Sequence, residues 1–320
     1  MAGLLDTIDQ RTQMVGQNRL ELLLFSLNGK QLYGINVFKV KEVLQCPPLT
    51  LMPGRNPVVR GVANIRGGTL SIIDLQMSMG MPELENIDQC FIIITEYNNS
   101  IQGFLVRSVE RIVNTNWEDM HPPPGGSGDD NYLTAVTEVN DRLVEVLDVE
   151  KILAEVSPRE DDISEGLIDE GAIEAADRES IKILVVDDSS VARKQMQRCI
   201  QHLGFEIILR NDGKQALDTL REMAAECDDI TKVLPIVVSD IEMPEMDGYT
   251  LTTEIRTDPD LKDLYVMLHT SLSGVFNQSM VDKVGANDFL AKFNPDDLVT
   301  RVAKRISSVT GIPIVEDKPE

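Results

Sequence analysis

Residues 181–310 alternate strand and helix five times over, and few folds accept that rhythm. IKILVVD (181–187) is a nearly unbroken apolar run, as a strand buried on both faces requires. SSVARKQMQRCIQHL follows with helical spacing and opens on Ser189, whose hydroxyl suits the free amides of a first turn. FEIILR and DGKQALDTLREMAAE repeat the unit. LPIVVSD, LYVMLHT and NDFLAK supply strands three to five, with helices YTLTTEIRTD and VFNQSMVDKV between them. PDDLVTRVAKRISSV closes the series as a helix with Pro295 in its first turn. Parallel strands joined by helices bury both faces of a sheet, so this half predicts a doubly wound α/β fold.

That topology says where chemistry belongs, because ligands of open parallel sheets bind outside the carboxyl ends of the strands. Asp187 and Asp188 end strand one, Asp240 ends strand three, Thr270 strand four and Lys292 strand five. Each alone reads as a helix cap or a solvated side chain. Together, from four strands at one edge, they read as a site. Carboxylates crowded in one cleft repel each other unless a cation joins them. An all-oxygen set suits a hard ion such as Mg²⁺, which takes one or two carboxylates with waters and a phosphate. A carboxylate is also a nucleophile toward phosphorus. Asp240 is therefore the candidate phosphoacceptor. Asp188 and the main-chain carbonyl of Glu242 complete the metal shell, and Asp187 orients water or shares the ion. A hydroxyl and an ammonium, Thr270 and Lys292, hold the remaining phosphoryl oxygens.

Residues 1–156 have another rhythm. LELLLFSLNGKQLYGINV gives two short β runs around Asn28-Gly29, VVRGVANIRGGTLSIIDL two more around Gly67-Gly68, and DQCFIIITEYNNSIQGFLV two around Asn98-Asn99. DRLVEVLDVEKIL adds a strand and a helical tail. Many short strands between turn signals predict a sandwich or small barrels. The stretch 157–179 carries two basic against nine acidic residues, the composition of a solvated tether. Its Ile163, Leu167, Ile168 and Ile173 leave a short docked helix open. The chain thus divides into an all-β domain (1–156), an acidic linker (157–179), an α/β domain (180–310) and a tail (311–320).

A net charge of −23 with no basic stripe disfavours nucleic acid and favours protein partners. The four cysteines (Cys46, Cys90, Cys199, Cys227) form no C-x-x-C pair, and the three histidines (His121, His202, His269) are scattered. Both features argue against a zinc site or disulfide framework and for a reducing cytosol. No apolar run approaches the roughly 20 residues of a membrane span. MAGLLDTIDQR does not read as a signal peptide. The expectation is a cytoplasmic protein without direct membrane insertion.

KILVVDDSSVARK, VVSDIEMPEMDG, VMLHTS and the lysine of FLAKF resemble, in order and spacing, the receiver domains of two-component signalling. The resemblance implies a flavodoxin-like (βα)5 fold in which Asp240 accepts phosphate from a histidine kinase and Asp187 and Asp188 bind Mg²⁺. It further implies that Thr270 and Lys292 contact the phosphoryl group and relay its presence, and that Phe289 is the aromatic switch residue. Pro244 and Gly248 would shape the loop that holds Asp240 at the mouth. Two departures stand out: Phe293-Asn294-Pro295 follows the lysine where proline is usual, and Ser271 stands where alanine is common.

LLLFSLNGKQLYGINVFKVKEVL, VVRGVANIRGGTLSIIDL and YLTAVTEVNDRLVEVLDVEKIL resemble the CheW family of chemotaxis coupling domains, which implies an SH3-like double β-barrel. Val40, Glu42, Gly61, Arg66 and Gly67 match positions that family uses around its receptor and kinase contacts. Physically, Arg66 either reaches a partner carboxylate from beside a Gly-Gly turn or holds that turn through an internal hydrogen bond. The two domains in this order resemble CheV-type coupling proteins. That implies an adaptor between the cytoplasmic tips of chemoreceptors and a CheA-type histidine kinase, clustered at membrane-associated receptor arrays. Phosphorylation of Asp240 would serve adaptation or a phosphate sink, with no enzymatic role beyond self-catalysed phosphorylation and dephosphorylation. Two rivals remain. One is a constitutive scaffold with an inert receiver. The other, a phosphatase of the haloacid dehalogenase type, wants its Asp-x-Asp at the first strand, whereas Asp240 ends the third and position 242 is Glu.

Overall fold

The computed structural model describes residues 19–314 apart from 98–99, 117–118, 122, 124–131, 158–162, 165–166, 169–180, 271–275 and 292–293. Two compact units divide the chain between residues 159 and 160.

The first unit runs β1 (Arg19–Ser26), β2 (Leu32–Asn36), β3 (Val40–Gln45), β4 (Val59–Ile65), β5 (Gly68–Asp74), β6 (Phe91–Tyr97), β7 (Ser100–Val106), β8 (Ser108–Asn116), β9 (Leu133–Val139), β10 (Arg142–Leu147) and α1 (Val149–Val156). The strands form two five-stranded sheets, ordered β8-β1-β2-β10-β9 and β3-β6-β7-β5-β4. Each sheet is latched edge to edge. After β3 the chain returns so that Thr50 and Val62 of β4, at the opposite edge, exchange amide hydrogen bonds of 2.9 Å. After β8, His121 and Val136 of β9 do the same at 2.8 Å. The result is a double barrel.

The apolar alternation explains why neither barrel stands alone. Leu20, Leu22 and Leu24 of β1 fill the first barrel with Leu32, Val144 and Val146. Leu23 and Phe25 point the other way, into a core shared with Ile73, Ile93, Phe104 and Val106 of the second sheet. Ile92 and Ile94 of β6 fill the second barrel with Ile72 and Leu105. Period-2 alternation therefore serves two cores here rather than one core and solvent, and each such side chain contributes about 1.5–3 kcal/mol on burial. Helix α1 closes the shared core with Val149, Ile152 and Leu153, and the Asp148 carboxylate caps it by accepting the Lys151 amide at 3.0 Å.

Two turns differ from the sequence expectation. The β4–β5 turn is Arg66-Gly67, one residue before Gly67-Gly68, with both in left-handed backbone (φ 51° and 83°) as a tight hairpin demands. Between β1 and β2 the connection spans residues 27–31, longer than a two-residue Asn28-Gly29 turn. The Asn98-Asn99 turn lies outside the described residues.

The second unit runs β11 (Lys182–Val186), α2 (Ser190–Gln201), β12 (Glu206–Arg210), α3 (Gly213–Glu226), β13 (Ile236–Asp240), α4 (Gly248–Thr257), β14 (Val266–Thr270), α5 (Phe276–Val284), β15 (Asp288–Ala291) and α6 (Pro295–Thr310). All strand pairs are parallel, in the order β12-β11-β13-β14-β15. Helices α2 and α6 cover one face over Ile183, Val185 and Val238. Helices α3 and α4 cover the other over Leu184, Val186 and Val237. Ser189 caps α2 as expected, its hydroxyl accepting the Ala192 amide at 3.3 Å.

Part of the acidic linker is docked on this unit. Ile163, Leu167 and Ile168 pack against the core under α2 and α6. The Ser164 amide and hydroxyl donate to the Asp296 carboxylate, in the first turn of α6, at 2.9 and 2.6 Å. Leu167 and Ile168 lie in a bend, not a helix. Ile173 lies outside the described residues. Among those described, no helix is long and apolar enough to cross a membrane.

Candidate functional site

In the second unit the strand order places the switch point between β11 and β13, and the acidic residues converge there. Asp187 follows β11 and is 3% exposed. Its Oδ1 accepts the Ser189 amide at 2.7 Å, and its carbonyl accepts from the Arg193 guanidinium. Asp188 beside it is half-buried. Asp240 is the last residue of β13, half-buried, with its carboxylate accepting the Glu242 amide at 3.2 Å.

The loop after Asp240 is held by close backbone approach. The Gly248 amide donates to the Ile241 carbonyl at 2.8 Å, and a Cβ at 248 would stand 2.2 Å from the Asp240 carbonyl oxygen. No residue with a side chain fits there without moving the acid. Pro244 accepts the Met246 amide at 2.5 Å, and Glu245 takes φ 61° between them. Asp247 then caps α4 through the Thr250 amide at 2.7 Å.

The donors suit a hard divalent cation. Asp187 and Asp240 approach each other and offer carboxylate oxygen, and Asp188, next in the chain to Asp187, is not part of that close group. The concentration of negative charge registers on Tyr249. Burial first, then the Glu242, Asp247 and Asp240 carboxylates, push its phenol well above its usual range.

Thr270 ends β14, paired with Ala291 of β15, so its backbone reaches the same edge. Phe289 is half-buried on β15 against the α3/α4 core. Lys292 lies outside the described residues. One neighbour was not foreseen. His269, dismissed above as scattered, pairs in register with Asp240, is 4% exposed, and places a ring nitrogen within 4.8 Å of carboxylate oxygens of both Asp187 and Asp240. Its only trace in the sequence is its position, one residue before the end of strand four.

In the first unit the singled-out residues cluster around two irregularities. Pairing shifts register between Val40 and Glu42 on β3 and between Val59 and Gly61 on β4, and such bulges re-aim side chains. Gly61 is buried at φ 155°, and a Cβ there would meet the Thr50 carbonyl oxygen at 2.6 Å. Arg66 is 80% exposed in its side chain and donates to the Glu42 carboxylate at 2.6 Å. The internal bond expected of Arg66 is present, but it ties the turn to Glu42 on β3 and leaves the guanidinium at the surface. Val40 is half-buried, and Gly67 is exposed in the turn. Sequence reasoning missed Leu51 and Met52, apolar side chains left exposed on the loop after β3.

Residues 21–157 match the CheW-like domain family, and residues 183–303 match the response regulator receiver domain family. Chemotaxis protein CheV3 of Helicobacter pylori is 31% identical over 304 residues, spanning 90% of this chain and 94% of that protein. The chain belongs to the CheV family of chemotaxis proteins. Chemotaxis protein CheV1 of the same organism is 30% identical over 325 residues, spanning 95% of this chain and 98% of that protein. Chemotaxis protein CheW of Bacillus subtilis is 28% identical over 135 residues, spanning 42% of this chain and 86% of that protein. In this CheV-family chain the double barrel is the CheW-like domain and the parallel sheet is the receiver.

Proposed function

We propose that this CheV-family protein is a phosphorylation-regulated adaptor that links chemoreceptor cytoplasmic tips to a CheA-type histidine kinase at receptor arrays. The observation that carries it is the meeting of Asp187 and Asp240 at the carboxyl edge of the receiver sheet, beside Asp188. A carboxylate oxygen of Asp240 attacks the phosphorus of the kinase phosphohistidine. The P–N bond breaks, imidazole leaves, and an aspartyl phosphate remains. Asp187, Asp188, Asp240 and the main-chain carbonyl of Glu242 would hold Mg²⁺, which neutralises charge on the phosphoryl oxygens. Thr270 and Lys292 take the other oxygens, and Phe289 reports the change. The protein is a phosphoacceptor rather than an enzyme with a turnover substrate.

The CheW-like domain docks through the surface around Val40, Glu42, Arg66 and Gly67, with Gly61 holding the bulge behind it. Leu51 and Met52 add apolar area that a partner would cover. Two uses of the phosphate remain, adaptation and a sink. They separate on whether Asp240→Asn alters receptor–kinase coupling or only the flux of phosphate.

Phosphotransfer from a radiolabelled CheA-type kinase with Mg²⁺, wild type beside Asp240→Asn, tests the reading. Label on wild type alone is expected. Label retained on the variant would mean another residue is the acceptor. No label on folded wild type would leave a constitutive coupling scaffold with an inert receiver.

A further inference from the structure

We propose that the linker segment 163–168 is a latch on the receiver, clamped to Asp296 by Ser164, and that seating of this latch and phosphorylation of Asp240 oppose each other. This control rests on Asp240 being the phosphoacceptor and reaches it from outside the five βα units.

Topology puts the clamp at the edge where the acids are. Helix α6 starts at Pro295, four residues after β15 ends at Ala291, so its first turn stands at the carboxyl edge of the sheet. Asp296 is in that turn, and its carboxylate accepts the Ser164 amide at 2.9 Å and the Ser164 hydroxyl at 2.6 Å. At the opposite edge Ile181, just before β11, is buried in the same core that Ile163, Leu167 and Ile168 pack against. The linker thus touches the receiver at its reactive edge before it enters the sheet at the other.

The body of α6 is fixed independently of the linker. Leu298, Val299, Val302 and Ile306 are buried, the Arg301 guanidinium donates to the Asp288 carboxylate on β15, and Arg305 donates to the Pro235 carbonyl at 3.0 Å. The first turn has the Asn294 cap, which accepts the Asp297 amide at 3.1 Å, and the clamp to Ser164. Ser164 is thereby a positioning residue for the turn that follows Lys292.

Charge gives the opposition its sign. The stretch 157–179 carries nine acidic residues against two basic, and Asp296 and Asp297 open α6. A phosphoryl group on Asp240 adds negative charge at the same edge, and like charges repel. The seat is shallow enough to yield: Ile163, Leu167 and Ile168 are partly buried and Ser164 is exposed. Segments held by few apolar contacts and exposed hydrogen bonds lie at the low end of local stability. A phosphoryl charge that unseats such a segment makes an order–disorder switch. The coupling is reciprocal, so unseating the latch must in turn favour the phosphoryl state.

The test uses full-length protein: wild type, Ser164→Ala, Ser164→Thr, Leu167→Ser and Asp240→Asn, with Mg²⁺ and beryllium fluoride standing in for the phosphoryl group. Amide exchange is read by mass spectrometry over 163–168, where the Ser164 amide donates to Asp296 and the Leu167 amide to the Ser164 carbonyl at 3.3 Å. Exchange over the acceptor loop 241–247 reports that the receiver has responded. In wild type beryllium fluoride should slow exchange in that loop and speed it over 163–168 about 10-fold, with neither change in Asp240→Asn. Beryllium fluoride affinity should rise about 10-fold in Leu167→Ser and about 3-fold in Ser164→Ala, with Ser164→Thr, which keeps the hydroxyl, close to wild type. A protected loop with unchanged or slower exchange over 163–168 overturns the latch, leaves Asp240 as acceptor, and needs no variant to fold. Equal affinity in wild type, Ser164→Ala and Leu167→Ser overturns it as well. A wild-type loop that ignores beryllium fluoride strikes down the reading of Asp240 itself, separately from the latch.

Discussion

The receiver gathers its candidate functional groups at the ends of its strands, and the CheW-like domain has its candidates at sheet edges and bulges. Parallel strands all finish at one edge, so residues far apart in the chain arrive at one point. Asp187, Asp240 and His269 meet this way across three strands. In the double barrel nothing converges by topology. Glu42 and Arg66 meet because the second sheet curls until its two edge strands approach. A reactive site needs that convergence. A docking surface needs only exposure and shape.

The largest effect should come from disturbing an end. Gly248→Ala forces a Cβ to within 2.2 Å of the Asp240 carbonyl oxygen. We expect a loss of about 3 kcal/mol or more in receiver stability, seen as a lower melting transition, together with lost phosphate uptake. Normal uptake and melting would break the link between loop and acceptor. Second, Arg60→Ala in the barrel removes the guanidinium 2.9 Å from the fully buried Asp74 carboxylate and leaves that charge on the Met77 and Leu84 amides. Removing one partner of a buried pair costs about 3–5 kcal/mol. The barrel transition should fall while phosphotransfer to Asp240 persists. Coupled loss of both would mean the two units do not fold independently.

Third comes a pH effect confined to the barrel unit. Burial, then the Glu150 charge, raises the Asp148 carboxyl above its usual range. With the folded value above the unfolded one, the native state binds the proton more tightly. The resulting stability is fully present below the ordinary carboxylate value of about 3.9 and is lost as pH rises through the raised one. Asp148→Asn keeps a capping oxygen and removes the charge. It should melt higher than wild type at neutral pH, and the gap should close near pH 4. A pH-independent difference would refute the cause. The smallest stability effect belongs to Arg66→Ala, because its exposed pair with Glu42 contributes at most about 1 kcal/mol. Pull-down of receptor and kinase should weaken while melting stays put. Unchanged binding would leave Arg66 as a turn-holding residue only.

The strand ends of the receiver were legible because unbroken apolar runs mark their own limits, and an acid or lysine at such a limit is conspicuous. His269 was not, because a histidine inside an apolar strand reads as core and the two acids near it lie on strands that only the order β11-β13-β14 makes adjacent. Gly61 and Gly248 were singled out as residues, but their close approaches to Thr50 and Asp240 are distances that no spacing encodes. The docked linker was hidden by composition: acidic neighbours outweigh Ile163, Leu167 and Ile168, yet three apolar side chains and one Ser164–Asp296 contact suffice to seat it. Barrel closure was equally hidden, since Thr50–Val62 and His121–Val136 join segments with no strand pattern of their own on one side.

The latched edges carry a consequence for crowded assemblies. A sheet with a long bare edge offers its amides and carbonyls to any passing strand, which invites both strand addition by a peptide and end-to-end polymerisation. Thr50 and His121 spend part of that capacity within the fold. That leaves less main-chain pairing on offer at those edges, while Leu51, Met52 and Arg66 present exposed side chains. Contacts made by side chains alone are exchangeable, and copies of such a domain held side by side do not template one another into a fibre.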